Sequence, residues 1–228
     1  MPPEDRVPRA VRVAAGRSPL TPIWRNDRGG LTYRLGADRF IKWAPHGEPA
    51  LDIASEERRL HWAGEFAPVP TVVASGADSD GSWMVTGALP GQNALAPRWI
   101  TDPKAAVAAI GRSVRALHDA LPVESCPFSG SWVGSIETPP ADQLVVCHGD
   151  PCGPNILLDD AGQCTGYVDL GDLGVADRWA DLAVTIWNVE SNFGPEWKSP
   201  LLQAYGVAPD PTRLAFYRRL WDRHIAKT

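Results

Sequence analysis

A short polar segment of this chain carries side chains that suit phosphoryl transfer. It begins with His148-Gly149-Asp150 and continues to Asn155, and Asp169 follows after two short apolar runs. Transfer of a phosphoryl group needs one residue that orients a hydroxyl nucleophile and at least two oxygen ligands for Mg²⁺. We predict that Asp150 orients the hydroxyl and that Asn155 and Asp169 bind the metal ion.

Each of these residues could instead have a purely structural role. A single Asp or Asn at a turn usually does, because both side chains bond readily to nearby backbone. The full pattern of His-Gly-Asp, an Asn five residues after the Asp, and a later Asp-Leu-Gly has far fewer accidental matches. A two-carboxylate metallohydrolase is the main alternative, but none of the five histidines has metal-ligand spacing to another. We therefore prefer the phosphoryl-transfer hypothesis, with His148 orienting the loop rather than transferring a proton.

The strands that must position these residues are visible in the hydrophobic pattern. Residues 144–147 form an apolar run that predicts a buried strand leading into the polar segment. Residues 156–158 and 165–168 predict two strands joined by a tight turn. A hairpin brings the residues that flank it to one end, so Asn155 and Asp169 should meet there.

The second half of the chain also has helical patterns. Asp102 and Pro103 predict the start of a helix, as a capping residue followed by proline at the first position. Its apolar residues recur at spacings of three and four: Val107, Ile110, Val114, Leu117 and Leu121. His118 is placed outside this stripe, as a loop-supporting or surface residue. Further helices are predicted around residues 181–191 and 211–221.

The first part of the chain has strand-like patterns instead. Residues 31–35 and 39–43 predict a hairpin, residues 51–63 a helix, and residues 83–86 a further strand. We expect an α+β chain of two lobes, with function in the cleft between them. The predicted boundaries are 1–86 for a small β-rich nucleotide-binding lobe, 87–91 for a hinge, and 92–228 for a mainly helical lobe that holds catalysis and substrate.

Lys42 is a candidate phosphate ligand in this first part. A lone lysine in a strand is most often a solvated edge charge. Here Glu56 follows on the predicted helix at a separation that permits an ion pair, and a Lys–Glu pair that holds nucleotide phosphates is the expected companion of the Asp, Asn and Asp set. Glu57 is a competing partner, and the pattern does not decide between the two.

Composition excludes several classes of function. The 228 residues, of which 44% are hydrophobic, suffice for a packed core, and the net charge of -5 argues against nucleic acid as a partner. No apolar run approaches the roughly 20 residues that span a membrane, and residues 1–17 lack the apolar centre of a signal peptide. We expect a cytoplasmic protein with no membrane partner, four free thiols, and a monomeric or weakly homodimeric state.

With these residues assembled, the chain resembles the aminoglycoside 3'-phosphotransferases, which share the protein-kinase-like fold. The resemblance is strongest over residues 144–198, where 148–155, 166–171 and 174–183 follow the family pattern. It is weaker around Phe40-Ile41-Lys42. It implies a kinase that uses ATP and Mg²⁺ to phosphorylate a hydroxyl of a small molecule, by default an aminoglycoside antibiotic, and hence a role in antibiotic resistance.

The resemblance also implies roles for individual residues. Asp150 would be the catalytic residue and would contact the substrate, and Asn155 and Asp169 would bind Mg²⁺. Lys42 would bind the α- and β-phosphates and would be held by Glu56. Phe40 would stack on adenine, and the backbone of Gly87 and Leu89 would meet the adenine edge. Asp181 would brace the catalytic loop, and Asp222 would contact the acceptor.

The chain departs from the family pattern at three places. Residues 26–30 are not a Gly-x-Gly-x-x-Gly loop, and Asp172 stands where family members often carry Arg. Residues 122–143, where the family often has an acidic insertion that grips the antibiotic, hold only Glu124, Glu137 and Asp142. Two alternatives therefore stay open: a kinase of another small metabolite with a reduced acceptor site and no resistance role, and a non-catalytic nucleotide-binding protein.

Overall fold

The computed structural model describes residues 7–48, 51–130, 132–134 and 136–225, which fold into two compact units. The first unit contains the described residues up to Gly64 together with Pro70–Ala88. The second contains Glu65–Val69 and the described residues from Leu89 onward. The first is built on a sheet and the second mainly from helices, as expected for an α+β chain. The boundary predicted at residue 86 and the hinge at 87–91 stay predictions.

The first unit is a five-stranded antiparallel sheet with two helices. The strand order is β1-β2-β3-β5-β4, and the helices are α1 and α2. Their bounds are Arg9–Ala15 (α1), Leu20–Arg25 (β1), Leu31–Leu35 (β2), Arg39–Pro45 (β3), Ile53–Ala63 (α2), Val72–Ala77 (β4) and Gly81–Gly87 (β5).

The predicted hairpin of β2 and β3 is confirmed, with Thr32 opposite Lys42. Alternate strand residues turn to one face, where they bury against α1. The buried cluster consists of Val11, Ala15, Tyr33, Leu35, Ile41 and Val85. Because Ile41 points into this core, its neighbours Phe40 and Lys42 point to the opposite face of the sheet.

Helix α2 begins two residues later than the pattern predicted. The side chain of Asp52 accepts a hydrogen bond from the backbone N–H of Ser55 at 2.9 Å, so Asp52 is the cap and Ile53 the first helical residue. The helix buries one face, which includes Glu56 among the apolar residues. A buried carboxylate needs a partner, and Glu56 is paired with Lys42.

The second unit contains five helices and five short strands within the described residues. The helices are Pro97–Ile100 (α3), Pro103–Ala120 (α4), Arg178–Phe193 (α5), Lys198–Tyr205 (α6) and Pro211–Ile225 (α7). The strands are Gln92–Asn93 (β6), Leu144–Cys147 (β7), Ile156–Leu158 (β8), Cys164–Tyr167 (β9) and Gly174–Asp177 (β10). Strand β7 pairs antiparallel with β10, and β6, β8 and β9 form a second small sheet.

The long predicted helix is confirmed as α4. Asp102 accepts a hydrogen bond from the N–H of Ala105 at 3.2 Å, and Pro103 occupies the first turn. The predicted stripe is buried along its whole length. In the described part of the chain, no helix combines the length and the apolar character that crossing a bilayer requires.

Helices α4 and α6 approach closely at Gly111. A Cβ added at this position would lie 2.8 Å from Ala204 Cβ, 2.8 Å from the carbonyl oxygen of Leu201 and 3.1 Å from the backbone nitrogen of Tyr205. Two of these three atoms belong to the backbone of α6, which cannot move aside as a flexible side chain could. Glycine at this point therefore allows the two helix backbones to meet.

We predict that Gly111→Ala destabilises the protein although alanine is the better helix former. Alanine gains about 1 kcal/mol of helix propensity, but overpacking against the backbone of α6 costs about 1–3 kcal/mol. Urea denaturation should show a net fall in the free energy of unfolding. Ala116→Gly, on the exposed face of α4, measures the effect of helix propensity alone on the free energy of unfolding. A more stable Gly111→Ala variant would contradict the close approach.

Candidate active site

The loop that contains Asp150 is held by a buried carboxylate on α5. Asp181 accepts the backbone N–H of His148 on Oδ2 at 2.7 Å and that of Gly149 on Oδ1 at 3.0 Å. Its side chain is fully buried. Burial alone would raise the pKa of Asp181, but the hydrogen bond from His118, the charge interactions with His118 and His148, and the Gly149 N–H outweigh it, so the pKa is lowered. Asp181 thus braces the loop that carries Asp150, as the resemblance implied.

His118 completes the surroundings of Asp181. Its Nε2 lies 3.0 Å from Asp181 Oδ2, and its Nδ1 lies 2.9 Å from the hydroxyl of Tyr205 on α6. The residue is buried, so the surface alternative for His118 was wrong. Its position was nevertheless visible in the sequence, because it is four residues after Val114 and seven after Gly111, both on the buried face of α4.

His148 orients the loop through both of its ring nitrogens. Nε2 lies 3.1 Å from the carbonyl oxygen of Val168, and Nδ1 lies 3.3 Å from the backbone nitrogen of Asp150. A carbonyl only accepts and an N–H only donates, so Nε2 carries the hydrogen and Nδ1 offers a lone pair. The ring therefore links the loop to the strand that ends before Asp169.

Asp150 and Asn155 are in direct contact. The amide nitrogen of Asn155 donates to the backbone oxygen of Asp150 at 2.9 Å and to its Oδ2 at 3.1 Å. These bonds turn the amide oxygen of Asn155 away from Asp150, as a metal ligand would require. Asp150 Oδ1 is buried and has no N–H or O–H partner among the described residues.

The hairpin of β8 and β9 places Asp169 beside this pair, as predicted from the spacing. Ile156 lies opposite Tyr167, and the N–H of Val168 donates to the carbonyl of Asn155 at 3.0 Å. Asp169 itself has φ +65°, and no other non-glycine residue in the described ranges has a positive φ. This left-handed conformation costs roughly 1 kcal/mol, which is typical of residues that a site constrains.

The carboxylates of this segment repel one another. Burial raises the pKa of Asp150 above its ordinary value, the Cys152 thiol partly offsets this by a hydrogen bond, and the charges of Asp169 and Asp172 raise it further. Burial also raises the pKa of Cys152 far above its usual range, so that thiol stays protonated and can donate. A group of repelling carboxylates beside a neutral amide oxygen has the donor chemistry that suits a hard divalent cation.

One further buried group has metal-ligand geometry: His118, Cys147 and Asp181. The His118 nitrogens already bond to Asp181 and Tyr205, and the Cys147 thiol donates to the carbonyl of Asp177 at 3.6 Å. Burial raises the pKa of Cys147 well above its ordinary value, so the thiol keeps its proton. This group is therefore a hydrogen-bonded core cluster.

In the first unit, the structure decides the partner of Lys42. Its Nζ lies 2.6 Å from Glu56 Oε1. Glu57 instead accepts the hydroxyl of Ser75 at 2.8 Å and lies 3.7 Å from His61 Nε2. The Lys42–Glu56 pair thus forms within one unit, between β3 and α2.

The remaining predicted site residues, Phe40, Gly87, Leu89 and Asp222, have contacts of their own. Phe40 lies on β3 with the guanidinium of Arg34 5.7 Å from its ring centre, and the N–H of Gly87 donates to the carbonyl of Thr71 at 2.9 Å. Leu89 lies in the second unit against Gly166. Asp222 is exposed on α7, and its Oδ1 accepts from Arg218 Nε at 2.8 Å.

The loop of residues 26–30 closes without the glycine-rich pattern. Asn26 Oδ1 accepts the N–H groups of Arg28 at 3.1 Å and Gly30 at 2.7 Å. Arg28 Nη1 also donates to Glu48 Oε1 at 2.6 Å. An asparagine side chain therefore organises this turn, where a Gly-x-Gly-x-x-Gly loop would rely on backbone freedom.

The fold and its relatives identify the chain as a phosphotransferase that acts on hydroxyl groups. The family model described as "Phosphotransferase enzyme family" matches residues 20–132 and 136–217. The chain belongs to this family, and its resemblance to the aminoglycoside 3'-phosphotransferases is confirmed. The aminoglycoside 3'-phosphotransferase of Streptomyces fradiae is 35% identical, with 85% of this chain and 91% of that protein aligned.

Solved structures give the same result and confirm the protein-kinase-like fold. An aminoglycoside-3'-phosphotransferase of type VIII is 32% identical with a TM-score of 0.74, and the match covers 94% of this chain and 97% of that chain. The aminoglycoside phosphotransferase APH(3'')-Id of Streptomyces rimosus, in complex with ADP and streptomycin, is 27% identical with a TM-score of 0.72. That match covers 92% of this chain and 94% of the other.

The site generates a prediction about Gly149, which has φ +92°. A Cβ there would lie 2.4 Å from both the Cβ and the carbonyl oxygen of Asp172. Gly149→Ala should lower the free energy of unfolding by about 1–3 kcal/mol through strain and overpacking. Gly16→Ala, at φ +56° with open space around it, measures the conformational cost alone. Equal losses in the two variants would contradict the close contact with Asp172.

Proposed function

We propose that this phosphotransferase uses ATP and Mg²⁺ to phosphorylate a hydroxyl group of an aminoglycoside, and thereby confers antibiotic resistance. The Streptomyces fradiae relative is named for this activity, and the Streptomyces rimosus neighbour was solved with ADP and streptomycin. The observation that carries the proposal is the Asn155 amide held on Asp150. It leaves Asp150 Oδ1 for a hydroxyl donor and Asn155 Oδ1 for a cation.

In the proposed reaction, Asp150 accepts a hydrogen bond from the acceptor hydroxyl. The hydroxyl oxygen forms a bond to the γ-phosphorus of ATP while the bond from that phosphorus to the β–γ bridging oxygen breaks. ADP leaves with the electron pair of the broken bond. The hydroxyl proton passes to the Asp150 carboxylate, whose raised pKa suits this role.

The donor set fits Mg²⁺. The amide oxygen of Asn155 and the carboxylate of Asp169 would hold the ion, since both are hard oxygen ligands. When bound, Mg²⁺ supplies neutralisation of charge on the nucleotide phosphates. The left-handed backbone of Asp169 and the Asn155 bonds to Asp150 support this proposal, because they restrict the conformations of both residues in the absence of an ion.

The first unit would supply the nucleotide contacts. Lys42 would bind the α- and β-phosphates, with its ammonium group oriented by Glu56 at 2.6 Å. Phe40 lies two residues earlier on the same face of β3 and would stack on adenine. The backbone of Gly87 and Leu89 would meet the adenine edge.

Glu56 and Glu57 form a matched pair for testing the nucleotide contacts. Glu56→Gln should raise the KM for ATP about tenfold, since a charged hydrogen bond worth about 1.5 kcal/mol is lost. Glu57→Gln, which touches Ser75 and His61, should leave the KM within twofold of wild type. Steady-state kinetics decides, and the reverse order of effects would contradict the proposed role of Lys42.

Asp150→Asn tests the proposed chemistry. The amide can still accept from Asn155 but cannot take a proton, so kcat should fall by about 10²–10⁴-fold while ATP binding persists. In the wild type the carboxylate must be ionised, so kcat should fall as pH drops through a pKa raised above the ordinary Asp value. The residual rate of Asp150→Asn should lack this acidic limb. Full turnover in the variant would refute the assignment.

A second candidate function is supported by the pairing of acidic groups. Asp142 accepts Arg178 Nη2 at 2.6 Å, and Asp222 accepts Arg218 Nε at 2.8 Å. The hydrogen bond from Arg178 lowers the pKa of Asp142. These carboxylates are already neutralised by arginines of the same chain. Such a surface favours an acceptor with fewer positive charges than an aminoglycoside, that is, another small metabolite.

An acceptor panel separates the two candidates. We predict phosphorylation of kanamycin, neomycin or streptomycin in the presence of ATP and Mg²⁺, with the phosphorylated hydroxyl located by NMR. Simple sugars and amino alcohols serve as the comparison. Turnover of the simple acceptors with none of the antibiotics would overturn the aminoglycoside proposal in favour of the metabolite kinase.

A further inference from the structure

A chain of buried hydrogen bonds extends from helix α6 to the catalytic loop. The hydroxyl of Tyr205 lies 2.9 Å from His118 Nδ1, His118 Nε2 lies 3.0 Å from Asp181 Oδ2, and the same Oδ2 accepts the N–H of His148 at 2.7 Å. Tyr205, His118, Asp181 and His148 are 2%, 6%, 0% and 0% exposed. Water therefore cannot replace a lost bond at any of these points.

The direction of each bond follows from the chemistry of the groups. The carboxylate of Asp181 only accepts, so His118 Nε2 carries the hydrogen. Burial raises the pKa of Tyr205 to about 12, so the phenol keeps its proton. Because a hydroxyl can both donate and accept, Tyr205 bonds to Nδ1 in either protonation state of His118 and holds the ring with Nε2 towards Asp181.

Asp181 responds to this bond because its two oxygens have different tasks. Oδ1 holds the N–H of Gly149, while Oδ2 is shared by the N–H of His148 and by His118. Rotation of the carboxylate would loosen both loop N–H groups together. The His118 bond to Oδ2 opposes that rotation.

We infer that His118 and Tyr205 are positioning residues for phosphoryl transfer, which they support by fixing Asp181 and, through it, the loop that carries Asp150. This inference rests on the proposed function, in which Asp150 orients the acceptor. Neither residue touches the reacting atoms. A shift of the loop by about 1 Å would cost on the order of 10²-fold in rate.

The variants separate the hydrogen bonds from the packing. Tyr205→Phe removes one hydroxyl and keeps the edge-on contact with His118, whose ring centre is 5.6 Å away. His118→Leu removes both bonds. His118→Gln restores a donor that can reach Asp181. Tyr217→Phe loses a phenol of similar burial on α7, and Ser113→Ala loses a buried hydrogen bond within α4.

We expect His118→Leu to lower kcat about 10- to 100-fold with the KM for ATP within about twofold. Tyr205→Phe should lower kcat about 3- to 10-fold, since the donor to Asp181 remains. His118→Gln should recover most of the rate. Hydrogen exchange should accelerate at the amides of His148 and Gly149 in the first two variants, and both control variants should match wild type in kcat and in these amides.

Unchanged kcat and unchanged exchange at these two amides in Tyr205→Phe would overturn the inference. This test remains valid even if His118→Leu does not fold. Equal rate losses in the control variants would also overturn it, because they would indicate a general effect of packing. Absence of transfer by the wild type to any acceptor would instead refute the proposed function. The exchange measurement would still decide the bracing of the loop in that case.

Discussion

The buried carboxylate of Asp181 is the interaction on which the catalytic half of this enzyme depends. Taking a charge out of water is costly unless the charge is paired and hydrogen-bonded. Asp181 meets that condition with two loop N–H groups and His118, and it lies in the first turn of α5, where the helix dipole favours a negative charge. The stabilisation that keeps this charge ionised is therefore the same contact that fixes the loop.

The other parts of the site follow from the fixed loop. Gly149 can lie against Asp172 because it has no side chain, and His148 links the loop to the end of β9 through Val168. Asn155 then bonds to Asp150, and its hairpin brings Asp169 alongside. In the proposed reaction, Oδ1 of Asp150 would accept the hydroxyl and the amide oxygen of Asn155 would hold the cation. Asp142 and Asp222 are in a different situation, since arginines of the same chain pair with both of them.

Local sequence patterns predicted the helices and strands that are determined by interactions between residues close in the chain. The β2–β3 hairpin, α4 with its Asp102 cap and the β8–β9 hairpin follow from alternation, helical spacing and capping within a few residues. Strand β10 was not predicted, because Gly174–Asp177 is extended only through pairing with β7, about thirty residues earlier in the chain. The role of Asp181 came from family resemblance rather than spacing. For His118 the sequence left a loop-supporting and a surface role open, because a histidine among apolar residues reveals its partners only when Tyr205 and Asp181 are placed around it.

The most direct test of the central claim is the kcat of Asp181→Asn, measured with ATP, Mg²⁺ and an acceptor that the wild type phosphorylates. The variant keeps the shape of the side chain, but its amide nitrogen cannot accept a loop N–H group. We predict a fall in kcat of about 10²-fold or more, with a cooperative unfolding transition retained and with ATP binding retained. A folded Asp181→Asn protein with the kcat of the wild type would contradict the claim that this carboxylate positions the catalytic loop.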